Sequence, residues 1–190
     1  MLRKIRGFRA PKKLQYETIS FLVNSLDTSE FDLAALTNAF RSLDTDNSGT
    51  LQLAEIKTAF DGLNLSTNEI SDIFEAIDVN HDGEINYSEF LTVTADRRRV
   101  ITEHNLLFAF HHFDIDNTGY ITEDNLEECF RREGKHLLHH ELQMMLNQVD
   151  PKTPGRITYE EFCDFMKEML NENSSPTLMR RLSLRKDEEK

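Results

Sequence analysis

Asp78-Val79-Asn80-His81-Asp82-Gly83-Glu84-Ile85-Asn86-Tyr87-Ser88-Glu89 carries an oxygen-bearing side chain at positions 1, 3, 5, 9 and 12 of a twelve-residue run. A hard cation takes six to eight oxygens around one point, and a tight loop at this spacing supplies them. Asp78, Asn80 and Asp82 point inward. The Glu84 carbonyl adds one oxygen, Asn86 acts through a water, and Glu89 closes the shell with two oxygens from the first turn of the next helix. Gly83, at position 6, stands where the loop bends most sharply, because a residue without Cβ meets no penalty at positive φ. A polar connector that binds nothing does not need oxygen at every constrained position.

The register recurs. Asp44-Thr45-Asp46-Asn47-Ser48-Gly49-Thr50-Leu51-Gln52-Leu53-Ala54-Glu55 begins 34 residues earlier, Asp114 to Asn125 begins 36 later, and Asp150 to Glu161 begins 36 after that. Position 6 is Gly in all four, and position 8 is Leu51, Ile85, Ile121 or Ile157. A fixed period of this length marks a repeated supersecondary unit. Helical apolar spacing flanks each loop: Leu33, Leu36, Phe40 and Leu43 precede the first, and Ile70, Ile73, Phe74 and Ile77 precede the second. Ile56, Ala59, Phe60 and Leu63 follow the first loop, and Ser29 to Asp32 and Ser66 with Glu69 read as capping boxes. One such unit leaves its apolar face bare, so units should pair, with Leu51 meeting Ile85 and Ile121 meeting Ile157 in two-residue β-ladders. The expected architecture is all-α, with four helix–loop–helix units in two paired lobes, residues 29–95 and 96–170. Asp96-Arg97-Arg98-Arg99 marks the boundary, either as a continuous exposed helix or as a hinge.

Charge divides the chain further. The formal net charge is −12, yet residues 1–13 carry +6, residues 171–190 carry +1, and the body between carries −19. An acidic body behind a basic lead-in points to cation ligands and basic partners and away from nucleic acid. Within residues 1–28 the apolar positions Leu2, Ile5 and Phe8, then Ile19, Leu22, Val23 and Leu26, give an amphipathic segment. Three roles fit it: a helix docked in an acidic apolar groove, a membrane-surface helix, or a plain packing helix. Met144, Met145, Met166 and Met169 gather in the last unit, where soft thioethers suit either a groove for a foreign helix or an ordinary core. Cys129 and Cys163 are too few for a disulfide framework and suit a reducing, cytoplasmic setting as small buried hydrophobes. No apolar run approaches a transmembrane segment or a signal-peptide core. From Asn171 the composition turns to Asn, Ser, Pro and charge, which reads as a disordered tail, and Arg180-Arg181-Leu182-Ser183 has the form of a basophilic kinase substrate.

The loops are unequal. Loop one offers Asp44, Asp46, Ser48, the Thr50 carbonyl, Gln52 and Glu55, and loop two Asp78, Asn80, Asp82, Glu84, Asn86 and Glu89. Both suit Ca2+. Loop three has Asp114, Asp116, Thr118, the Tyr120 carbonyl and Thr122, but position 12 is Asn125, which brings one neutral oxygen in place of a bidentate carboxylate. Ligand charge tunes affinity, so this site is expected to be weaker. Loop four keeps Asp150 and Glu161 but has Lys152 at position 3 and Pro154 at position 5, and reads as a structural partner that binds no ion. His136, His139 and His140 lack a fourth ligand for a zinc site.

Over residues 29–170 the chain resembles the calmodulin superfamily of EF-hand proteins. More narrowly, it is similar to the regulatory domain of calcium-dependent protein kinases of the plant and apicomplexan type. Ile5-Arg6-Gly7-Phe8-Arg9-Ala10-Pro11-Lys12-Lys13-Leu14-Gln15, Asn86-Tyr87-Ser88-Glu89-Phe90 and Gly119-Tyr120-Ile121-Thr122 carry that resemblance. It implies that residues 1–28 are the junction that follows a Ser/Thr kinase domain, and that calcium rearranges the lobes around it to relieve inhibition. It also implies that the chain is a fragment of a longer enzyme, with Met1 an artificial start and acylation upstream a route to membranes. Asn125, Lys152 and Pro154 depart from the family pattern and argue against four loaded sites. The chain has no glycine-rich phosphate loop, no His-Arg-Asp run and no Asp-Phe-Gly, so it is not itself an enzyme. Two other classes remain open: a free-standing calcium sensor that binds basic amphipathic helices of other proteins, and a calcium buffer. A sensor opens on loading whereas a buffer barely does. The charge and shape of the lead-in make it an internal target, expected in a groove of at least the lobe that holds sites one and two.

Overall fold

A computed structural model describes residues 12–25, 33–61, 65–149 and 152–171. The Ser29–Asp32 cap, Leu2, Ile5, Phe8, Leu26, Leu63, Asp150 and the tail with Ser183 lie outside the described residues. These fall into two compact units, Val23–Arg99 and Val100–Glu172, the second of which also includes Pro11–Leu22.

In the first unit, α2 (Leu33–Leu43), β1 (Thr50–Gln52) and α3 (Leu53–Ala59) form one helix–loop–helix, and α4 (Thr67–Ile77), β2 (Glu84–Asn86) and α5 (Tyr87–Thr94) form the next. Ser66 starts α4 as expected: its hydroxyl accepts the Glu69 amide, and the Glu69 carboxylate accepts the Ser66 amide in return. The strands pair antiparallel with Leu51 opposite Ile85, the register expected from position 8. Both residues are fully buried, so a slip by one residue would turn them out to solvent. Phe40 meets Phe90 edge-on at 5.4 Å and Tyr87 at 5.3 Å, and the Tyr87 hydroxyl bonds that of Thr37 at 2.6 Å.

The second unit repeats the plan with α7 (Glu103–Phe113), β3 (Tyr120–Thr122), α8 (Glu123–Arg132), α9 (His139–Gln148), β4 (Arg156–Thr158) and α10 (Tyr159–Asn171). Ile121 lies opposite Ile157. Phe110, Phe113, Phe130 and Phe162 make the aromatic centre through tilted and edge-on contacts. Met145, Met166 and Met169 are buried, whereas Met144 is exposed. Between α5 and α7 the helix does not continue: Ala95 adopts φ −58° and ψ 141°, and only the four-residue α6 (Arg97–Val100) follows. Among the described residues no helix is long and apolar enough to cross a membrane.

The residues of helix α1 (Lys13–Ser25) up to Leu22 belong with the second unit. Leu14 and Leu22 are fully buried, and Ile19 nearly so. Gln15, itself buried, donates from Nε2 to the Phe165 carbonyl at 2.9 Å. Ion pairs surround this core: Lys12 with Glu168 at 3.2 Å, Lys13 with Glu141 at 2.9 Å, and Glu17 with Lys135 at 2.6 Å. Lys12 also lies over the Phe165 ring. The basic lead-in thus meets acidic side chains of α9 and α10, but Glu17 shows that α1 also presents an acid to a base. The reason the periodicity did not identify the partner is physical: an apolar stripe states that a helix needs a cover, not which cover.

If α1 is part of the core of the second unit, Leu14→Ala should cost about 2–5 kcal/mol there. Amide exchange should quicken throughout α8 to α10 and stay unchanged in α2 to α5. Faster exchange confined to α1 would show that the helix only leans on the unit.

Candidate metal centres

Each loop is organised by its first aspartate. Asp44 Oδ1 accepts the Ser48 amide at 2.9 Å and Oδ2 the Gly49 amide at 3.0 Å. Asp78 does the same with Asp82 at 3.2 Å and Gly83 at 2.9 Å, and Asp114 with Thr118 at 3.0 Å and Gly119 at 2.9 Å. The turn requires positive φ twice. Gly83 takes 85° at position 6, and His81 takes 56° at position 4, where the other two loops use Asn47 and Asn117. Sequence reasoning passed over position 4. An Asn preceding Gly by two residues was the available signal, since Asn tolerates this region better than most side chains.

The residue at position 12 has a second task that the sequence reading also missed. It is the N3 residue of the exit helix, and position 9 is the N-cap. Asn86 Oδ1 accepts the Glu89 amide at 3.0 Å, and Glu89 Oε2 accepts the Asn86 amide at 3.0 Å. Glu89 Oε1 reaches across the loop to the amides of Val79 and Asn80 at 3.1 and 3.3 Å. Glu55 makes the matching bonds to Gln52 at 2.9 Å and Thr45 at 2.7 Å. The pattern of a polar cap followed three residues later by an acid was legible in Asn86 with Glu89 and Thr158 with Glu161.

In loop one, carboxylate oxygens of Asp44, Asp46 and Glu55 all come within 4.8 Å of one another. Ser48 Oγ and the Thr50 carbonyl are 3.0 Å apart in the same loop. In loop two, Asn80 and Asp82 bond each other at 2.8 Å, and Asp82 Oδ1 accepts the Glu84 amide at 3.0 Å. The two loops also touch, because the Thr50 hydroxyl donates to Glu84 Oε2 at 2.7 Å. Loop one therefore gathers an anion-rich oxygen set of the kind that Ca2+ takes, and loop two holds the same residue types tied to one another within the loop.

Loops three and four bring their remaining residues together differently. Asp114, Asp116 and Thr118 converge, with the Thr118 hydroxyl 2.9 Å from Asp116 Oδ1. Tyr120 lies in β3, and its ring carries the Arg156 guanidinium. Asn125 accepts the Thr122 amide at 3.1 Å as the cap demands, and its side chain also helps to lower the Asp116 carboxyl. The Thr118 hydroxyl and then Asn125 hold the Asp116 carboxyl below its ordinary range. In loop four, Glu161 accepts the Lys152 and Thr158 amides at 2.8 and 2.9 Å. Those bonds, with the Lys152 charge beside them, lower its pKa. Lys152 and Pro154 do not fit a cation there.

The position-12 acids of loops one and two titrate in opposite directions. Burial raises Glu89 above its ordinary value, Asp78 adds to the shift, and the amides of Asn86, Asn80 and Val79 only partly oppose it. Burial also works against Glu55, but bonds from Gln52 and Thr45 outweigh it, and its pKa falls. A raised carboxyl pKa means that the folded chain binds the proton more tightly, so that group's support is lost as pH rises past its ordinary value. A lowered one supports the fold above the ordinary value and is lost as pH falls through the folded pKa. In metal-free protein near neutral pH, Glu89→Gln should therefore raise Tm and Glu55→Gln should lower it, with both differences shrinking towards acid. Equal shifts of one sign would contradict this assignment.

Comparison with known proteins agrees with this geometry. The family model described as an EF-hand domain pair matches residues 33–95 and again 103–167. Calcium-dependent protein kinase 9 of Arabidopsis thaliana is 36% identical over 180 residues, which span 94% of this chain and 33% of that protein. Calcium-dependent protein kinase 2 of Zea mays is 35% identical over 88% of this chain and 32% of its own length. Calcium-dependent protein kinase 34 of Arabidopsis thaliana is 34% identical over 97% and 35%. The chain spans about a third of the length of these curated relatives, and what it matches is their EF-hand part, not the catalytic domain. Two pairs of helix–loop–helix units, the position-8 ladders and these matches lead to one conclusion: the chain belongs to the EF-hand family of calcium-binding proteins, as a homologue of the regulatory part of calcium-dependent protein kinases.

Proposed function

We propose that this chain senses calcium for an attached protein kinase domain, with a division of labour between its two units. The observation that carries this is the contrast between the loops and α1. Loops one and two keep oxygen at every ligand position, while Asn125, Lys152 and Pro154 interrupt the other pair. Yet it is the second unit that holds α1, through buried Leu14, Gln15 and Leu22 and three ion pairs, none of which uses a metal. Asp44, Asp46, Ser48, Thr50 and Glu55 hold one Ca2+, and Asp78, Asn80, Asp82, Glu84 and Glu89 hold a second. Asp114, Asp116, Thr118 and Tyr120 form a weaker third site.

On this reading the second unit is a standing clamp on the junction helix, and the first unit is the part whose shape depends on calcium. A ligand shifts an equilibrium only by its different affinity for two arrangements. The differential term is available in loop two, where Glu89 must give up its backbone bonds to turn both oxygens onto an ion. The names of the relatives support a kinase as the recipient of the signal. The free thiols of Cys129 and Cys163 suit a reducing cytoplasm. An α1 that already covers part of the second unit speaks against a free-standing sensor that captures helices of other proteins with that unit.

Calorimetry on the full chain should find two equivalents of Ca2+ with dissociation constants of roughly 10⁻⁷–10⁻⁵ M and a third that is weaker. Glu89→Gln should remove one tight equivalent, and Asn125→Glu should convert the weak one to a tight one. Four tight equivalents, or an Asn125→Glu chain that binds as the parent does, would overturn the division of labour.

A further inference from the structure

Away from the four loops, three side chains of different chemistry meet at the ends of α7 and α8. His112 lies in the last turn of α7, Cys129 lies within α8, and Glu133 is the residue that ends α8. His112 Nε2 is 3.1 Å from Cys129 Sγ and 3.1 Å from Glu133 Oε1. The three atoms all lie within 4.8 Å of one another. Cys129 and Glu133 stand one helical turn apart, so both face His112. We propose that His112, Cys129 and Glu133 form a site for a borderline-soft divalent cation, Zn2+ by preference, distinct from the calcium loops.

The spacing suits a tetrahedral ion. With Zn–N near 2.0 Å and Zn–S near 2.3 Å, neighbouring ligand atoms stand roughly 3.3–3.5 Å apart. The observed distances need only a small expansion. Cys129 is 2% exposed, whereas the side chains of His112 and Glu133 are 25% and 30% exposed. Solvent therefore reaches the open side, where a water supplies the fourth ligand. Imidazole and thiolate select zinc over calcium, which takes oxygen alone.

The surroundings place each ligand. Glu133 uses Oε1 towards His112 and Oε2 towards Lys135, 3.1 Å away, so the lysine orients the carboxylate without occupying the ligand oxygen. Gly134, at φ 77°, turns the chain so that the Lys135 amide bonds the Phe130 carbonyl at 2.8 Å. Phe21 of α1 stacks on the imidazole with ring centres 3.7 Å apart and planes 11° from parallel, which fixes the ring. Both helices turn their carbonyl ends towards the site, which favours positive charge. Without metal, burial and the Glu133 charge push the Cys129 thiol up to about 12, so it is an inert thiol. Binding replaces its proton with the ion, and the proton leaves to solvent.

Cobalt(II) is the probe, because a thiolate ligand gives it a near-ultraviolet charge-transfer band and four-coordination intensifies its visible bands. The full chain, reduced, stripped of transition metals and saturated with calcium, should bind one equivalent of Co2+ with that band, and Zn2+ should displace it. Cys129→Ser should abolish the band, and His112→Gln should weaken Zn2+ binding about 10- to 100-fold. Cys163→Ser and His140→Gln should leave both unchanged. Absence of the thiolate band in the parent chain would overturn the proposal whether or not a variant folds. So would a band that survives Cys129→Ser, or zinc binding that is lost with His140 instead. Calcium stoichiometry, read in the same samples, belongs to the loops, so failure here leaves the calcium assignment standing.

Discussion

The whole molecule depends on one repeated interaction, a first-position aspartate that accepts two successive backbone amides across its own loop. Asp44, Asp78 and Asp114 each tie down positions 5 and 6 in this way. Those bonds force the chain into positive φ, and this brings the position-8 residue to its partner in the ladder. The ladders then bring two helix–loop–helix units together so that Phe40 can reach Phe90 and Phe113 can reach Phe162. In these three loops binding geometry and folding geometry are the same hydrogen bonds.

The loops differ in how they settle the remaining negative charge. Loop one leaves Asp44, Asp46 and Glu55 converging. Loop two buries Glu89 next to Asp78 and leaves it prone to hold a proton. Loop three puts the neutral Asn125 at position 12, where its side chain helps to lower the Asp116 carboxyl, and loop four places Lys152 by Glu161. The first two solutions invite a cation from outside, while the last two carry a neutral amide or a positive charge of their own. An isolated change from carboxylate to amide at position 12 thus alters more than one ligand, since the same atoms cap the exit helix.

Much of this was legible in the residues. The recurring twelve-residue loop and its position-8 aliphatics led to the strand pairing, and Ser66 with Glu69 led to the start of α4. Those features are local, set within a few residues of chain. What escaped notice was tertiary or conformational. His81 at φ 56° lies in a region its residue type seldom visits. The Thr50 to Glu84 bond joins positions that only the ladder brings together. The seat of α1 could not be read from its stripe, because both units offer apolar faces. His112 and Cys129 are 17 residues apart and meet only through the packing of α7 on α8. The tail and the first eleven residues lie outside the described structure, so their expected roles stand as expectations.

The central claim is that calcium acts on the first unit while the second holds α1 without it. Amide resonances of the position-6 glycines, which in the first three loops bond the first aspartates, report on this directly in a calcium titration followed by two-dimensional NMR. Gly49 and Gly83 should shift within the first two equivalents, Gly155 should stay where it is, and α1 amides such as Thr18 should show the same protected signal in calcium and in chelator. If Gly155 shifts together with Gly49, or if α1 becomes protected only when calcium is added, the two units share one calcium-dependent transition and the division between sensor and clamp is wrong.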